Sequence, residues 1–74
     1  MISYEEALKM ARELKKNIDA CDEYDIAYVF KAKEEEYLIG GYGPCCIIKE
    51  TGRAVNQTEF VDSYDSQFIK GFDL

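Results

Sequence analysis

Three cysteines, fifteen carboxylates and not one histidine set the chemistry open to this chain. Cys21, Cys45 and Cys46 are an odd set without C-x-x-C spacing. They have no imidazole to complete a metal site or to act as a general base, and the carboxylates follow no calcium-loop pattern. No metal or cofactor is therefore expected. Serine, threonine and cysteine nucleophiles lack the same base, and no pair of carboxylates stands out as acid and base, so no enzyme is expected. Gly40-Gly41-Tyr42-Gly43 is glycine-rich in the manner of a phosphate cradle, yet Pro44 and an apolar run occupy the place where a helix amino terminus and a lysine-serine pair belong. Adjacent Cys45 and Cys46 on an extended segment point to opposite faces, which suits small buried hydrophobes in a reducing compartment better than a redox pair.

What remains for function is surface. Fifteen acids against nine bases give a net charge of -6, which repels phosphate backbones and anionic membranes and suits a basic protein partner. Two acidic patches are the candidate partner-binding residues. Asp22, Glu23 and Asp25, with Asp19, fall in a run without a base between the first helix and the first strand. Glu59, Asp62 and Asp65 lie beside Phe60 and Tyr64, joining charge to aromatic area of the kind interface anchors use. Glu34-Glu35-Glu36 reads as a solvated hairpin tip.

The elements that carry these residues read as one small α+β domain spanning residues 1–74. At 47% hydrophobic and 32% charged the composition is that of a folded chain, but at 74 residues folding hides only about 60% of the exposed surface, leaving little room for an enclosed pocket. Ser3 and Glu6 form an S-x-x-E capping box that starts a helix at Tyr4, and Tyr4, Ala7, Leu8, Ala11, Leu14 and Ile18 recur on one stripe. Lys15 and Lys16 complement its dipole, and the polar run from Asp19 to Asp25 ends it. Ile26–Ala32 reads as a strand with Ile26, Tyr28 and Phe30 on one face and Ala27, Val29 and Lys31 on the other. A turn at Lys33–Glu35 leads to a partner strand at Glu36–Gly40, and Gly40, Gly41, Gly43 and Pro44 mark a bend. Cys45–Glu50 lacks polar alternation and so reads as a strand covered on both faces. Gly52 closes a hairpin turn to a strand at Arg53–Gln57. Ser63 caps a short helix over Tyr64–Lys70, with Phe68, Ile69 and Phe72 packing inward and Gly71 as its stop. The fold expected is an amino-terminal helix packed on a four-stranded antiparallel sheet, with a short carboxy-terminal helix. An edge of so small a sheet can pair with a second copy, so a monomer and a weak homodimer both fit.

Gly41, Gly43, Pro44, Lys49, Thr51 and Gly52, together with the Ser3-Tyr4-Glu5-Glu6-Ala7 opening, resemble the immunity protein 35 family of small bacterial immunity proteins. There a helix precedes strands that carry a GxGP, apolar run, K-x-T-G-x signature. The resemblance runs from Ser3 to about Val55 and weakens beyond. Cys45-Cys46 departs from it, standing where the family is more often aliphatic. It implies a bacterial protein that binds a cognate, basic toxin and neutralises it by occlusion. The chain begins without a basic segment and apolar stretch, so no secretory signal is expected and the cytoplasm is the default location. The competing class is a small chaperone-like module that binds proteins generally through an exposed apolar face.

Overall fold

The fold is taken from a computed structural model, which describes residues 1–14, 18–32 and 45–74. Helix α1 spans Tyr4–Leu14. The Glu6 N–H donates to Ser3 Oγ at 3.2 Å, as a capping box requires, while the return bond comes from the Ser3 hydroxyl to the Glu6 carboxylate at 3.4 Å. Ala7 and Ala11 are fully buried, so the helix can approach the sheet closely. Leu14 is not part of the buried stripe, being 64% exposed, and Ile18 reaches the core from the segment that leads into the first strand.

Five antiparallel strands follow: β1 (Ala20–Tyr24), β2 (Ala27–Lys31), β3 (Cys45–Ile48), β4 (Ala54–Val55) and β5 (Phe68–Asp73). Their order across the sheet is β4-β3-β2-β1-β5. A second helix, α2 (Gln57–Ser63), connects β4 to β5. The α+β class with a helix on an antiparallel sheet stands, with five strands among the described residues instead of four.

Two strands replace elements expected elsewhere. The polar run after α1 is not a loop but β1, whose residues from Ala20 to Glu23 pair with Lys31 to Tyr28 of β2. The carboxy-terminal segment is not a helix over Tyr64–Lys70. Its helix lies one turn and more earlier, capped by Asn56, whose Oδ1 accepts from the Glu59 N–H at 2.7 Å, and residues Phe68–Asp73 run as β5 beside β1. The β1–β5 register shifts between Glu23 and Tyr24, leaving Ile69 as a bulge between Lys70 and Phe68. The expected turn at 33–35, strand at 36–40 and glycine–proline bend at 40–44 lie outside the described residues.

Alternation along the strands splits the core in two. On one face α1 covers Cys21, Phe30 and Ile47, with Tyr28, Cys45 and Phe72 at the margin. On the other face α2 covers Ala27, Val29, Cys46, Ile48 and Val55 through Phe60. Strand β3 is therefore covered on both sides, as its unbroken apolar run requires, and Cys45 and Cys46 fall on opposite faces as reduced thiols. Ile26 is the exception to the expected alternation, because it sits in the β1–β2 turn and packs with the α2 face.

The hairpin from β3 to β4 shows what the Lys49, Thr51 and Gly52 pattern does. Gly52 has φ +74, a value that L side chains rarely adopt, and its N–H donates to the Ile48 carbonyl at 2.7 Å. Thr51 Oγ1 accepts from the Arg53 N–H at 3.2 Å. Lys49 extends beneath α1 to Glu23 of β1, 2.9 Å away, passing 4.7 Å from the centre of the Tyr28 ring. Each of the three residues stabilises the fold locally.

Candidate functional site

Asp22, Glu23 and Asp25 do not form one patch. As consecutive strand residues, Asp22 and Glu23 point to opposite faces of the sheet, and each meets a lysine: Asp22 lies 2.8 Å from Lys31 and Glu23 lies 2.9 Å from Lys49. Their charge is neutralised within the fold. Asp25 sits in the β1–β2 turn, where its N–H donates to the Gln67 carbonyl at 3.0 Å and its Oδ1 accepts from the Gln67 N–H at 2.9 Å. That reciprocal clamp brings the β1–β2 turn alongside the segment joining α2 to β5. The structure thus places Asp25 with the second patch and removes Asp22 and Glu23 from the first.

The second patch surrounds a groove. Tyr24, Val29, Gln57, Phe60, Val61, Tyr64, Asp65 and Ser66 line a depression of about 250 Å³ between α2 and the sheet. Its walls are aromatic: Tyr24 meets Phe60 edge-to-face at 5.3 Å and Phe68 edge-to-face at 5.6 Å, while Phe60 and Tyr64 stack at 6.1 Å. Helical spacing explains the lining, since Gln57, Phe60, Val61 and Tyr64 share the side of α2 that faces the sheet. Phe60 is the buried floor, and Tyr64 is half-buried. Val61 and Phe68 stay 68% and 58% exposed, more open than core residues of their size. By contrast the aromatic cluster under α1, where Tyr4 meets Tyr28 and Phe72, belongs to the core.

Charge around the groove is one-sided. Glu59 is engaged by Arg53 at 3.3 Å. Among the described residues, Asp62 and Asp65 are exposed and have no salt-bridge partner, and no lysine or arginine lines the groove. A larger depression of about 390 Å³ runs along α1, lined by Glu5, Leu8, Lys9, Arg12 and Glu13. Among the described residues its two acids and two bases interleave without an aromatic.

Of the residues expected to bind a partner, Phe60, Tyr64 and Asp65 line the groove, Asp25 is tied to Gln67, Asp62 is exposed on α2 outside the lining, and Glu59, Asp22 and Glu23 are spent on ion pairs. Tyr24, Val61 and Phe68 join the site without having been singled out. The available signal was Asn56-Gln-Thr-Glu59, a capping pattern that places α2 early enough to put residues 57, 60, 61 and 64 on one side.

Among the described residues, no group of three or more cysteine, aspartate or glutamate side chains is placed to hold a metal ion, and no helix is long and apolar enough to cross a membrane. Burial pushes the Cys21 and Cys46 thiols up to about 12, aided at Cys21 by Asp22 and Glu23 and at Cys46 by Cys45, so neither is a nucleophile at neutral pH. No protein-family model, curated protein or solved structure matches the chain.

Proposed function

We propose that this chain is an immunity protein that binds a cognate bacterial toxin and neutralises it by covering its active surface. The observation that carries this reading is the groove itself, an aromatic depression lined by Asp65, a carboxylate without a salt-bridge partner among the described residues, on a chain of net charge -6. Such a surface attracts a basic cleft at long range and then anchors it through desolvated aromatic area. The resemblance to the immunity protein 35 family points the same way and supplies the toxin as the partner.

The test is co-expression with the toxin encoded beside it. Protection of the host, lost on charge reversal of Asp62 and Asp65 together, is the expected outcome, with association of the purified pair slowed and its salt dependence reduced. Unimpeded killing in the presence of folded protein refutes the reading.

The exposure of Val61, Phe68 and Ile69 favours a second reading, a general protein-binding module with chaperone-like behaviour. It predicts suppressed aggregation of unrelated unfolded chains at substoichiometric amounts, which a dedicated toxin antagonist does not show.

A further inference from the structure

We infer that the groove between α2 and the sheet takes a cationic side chain, an arginine presented by an exposed loop or extended segment of the partner. The inference rests on the proposed function for the identity of the partner, and on the groove alone for the chemistry of the anchor.

Three observations select a guanidinium over an apolar anchor. First, the lining offers aromatic surface: Tyr24 and Tyr64 border the depression, each packed on the buried Phe60, Tyr24 edge-on and Tyr64 stacked. The face of an aromatic ring carries the negative end of its quadrupole and attracts a cation, and a planar guanidinium stacks on it where an ammonium cannot. Second, Asp65 stands in the lining. A carboxylate beside an aromatic wall gives an arginine its fork-shaped hydrogen-bond partner once the side chain is seated.

Third, among the described residues no lysine or arginine lines the groove, and the cations on its side of the sheet are committed elsewhere. Arg53 is bound to Glu59 and Lys31 to Asp22, so neither fills the site from within. Asp22 and Glu59 are neutralised in this way, whereas Asp65 has no salt-bridge partner among the described residues. A depression of about 250 Å³ has ample room for one arginine side chain without rearrangement of its walls.

The experiment is an NMR titration of the isotopically labelled full chain with three short peptides of glycine and serine, identical except for a central arginine, citrulline or leucine. Citrulline keeps the shape of arginine and removes its charge, so the comparison needs no protein variant. Saturable shifts at Tyr24, Phe60, Tyr64 and Asp65 with the arginine peptide, about tenfold weaker with citrulline, are expected at low salt. Asp65→Asn should weaken the arginine peptide about threefold or more and leave the citrulline peptide unchanged. Equal binding of arginine and citrulline, preference for leucine, or shifts confined to residues outside the groove overturns the inference. So does an absence of shifts at about 20 mM peptide, well above the dissociation constant of even a millimolar site. Arginine binding together with failure of toxin protection would sink the immunity reading and leave the anchor standing, whereas protection without arginine binding does the reverse.

Discussion

Replacing Lys49 by methionine should destabilise the chain by about 2 kcal/mol, much more than the loss of an ordinary surface lysine. The Lys49 side chain is only 12% exposed and its Nζ lies 2.9 Å from Glu23, which is itself 21% exposed. A hydrogen bond between charged groups contributes about 1.5–3 kcal/mol, and the 4.7 Å approach to the Tyr28 ring adds on the order of 1 kcal/mol. Methionine keeps the length of the stem and recovers part of the loss by packing against the same ring. The backbone bonds at this position, from the Ile2 N–H to the Lys49 carbonyl and from the Lys49 N–H to the Ile26 carbonyl, do not depend on the side chain. For a domain of this size a 2 kcal/mol loss lowers the melting temperature by about 8–16 °C.

The assay is a double-mutant cycle with Glu23→Gln, read by urea unfolding. Arg53→Met serves as the contrast, because its bridge to Glu59 is longer at 3.3 Å and its side chain is 63% exposed. That variant should cost at most about 0.5 kcal/mol. A coupling above about 1 kcal/mol between Lys49 and Glu23 is expected, and one below about 0.3 kcal/mol would refute the reasoning.

The buried thiols make stability fall in alkali. Below about pH 8.5 the thiols of Cys21 and Cys46 are protonated in both states and their contribution is fully present; as pH rises the unfolded chain ionises first, so each costs about 1.4 kcal/mol per pH unit until the folded thiols ionise near 12. Urea midpoints under reductant between pH 8 and 9.5 should show this slope, and Cys46→Ala should roughly halve it even though the variant is less stable; an unchanged slope in the variant rejects the assignment. Gly71→Ala should destabilise, although alanine suits a strand better than glycine, because the added Cβ would lie 2.7 Å from Asp22 Oδ1 and push that carboxylate from Lys31. In an Asp22→Ser background the same substitution should become neutral or favourable, and a penalty of equal size in both backgrounds would show that Asp22 is not its cause.

Elements built on local signals were legible in the sequence. The capping box at Ser3 and Glu6 fixes the start of α1, and the unbroken Cys45-Cys46-Ile47-Ile48 run predicts a strand covered on both faces, which the two helices supply. Strand β1 was hidden because Asp22 and Glu23 look like loop residues until the lysines that neutralise them, Lys31 and Lys49, are brought alongside by pairing across the sheet. The carboxy-terminal segment failed for a different reason. Phe68, Ile69 and Phe72 fit a helical stripe and a strand with one bulge equally well, and the bulge at Ile69 is what breaks the two-residue period. With β5 mistaken for a helix, Ser63 reads as a cap when it is the last residue of α2.

The same distinction separates fold from partner in the Lys49-Glu50-Thr51-Gly52 turn. Lys49, Thr51 and Gly52 are occupied by the ion pair to Glu23, the bond from the Arg53 N–H and the positive φ of the turn. None of them lines the groove, and Lys49 lies beneath α1, on the face of the sheet away from α2. A motif of this kind specifies a hairpin that folds, whichever partner the opposite face meets. On the proposed function, specificity would reside in side chains the turn leaves out, chiefly Tyr24, Val61, Tyr64 and Asp65. Because α2 is a short helix held by one buried aromatic residue, Phe60, and by the Asn56 cap, its outward positions can vary without disturbing the sheet.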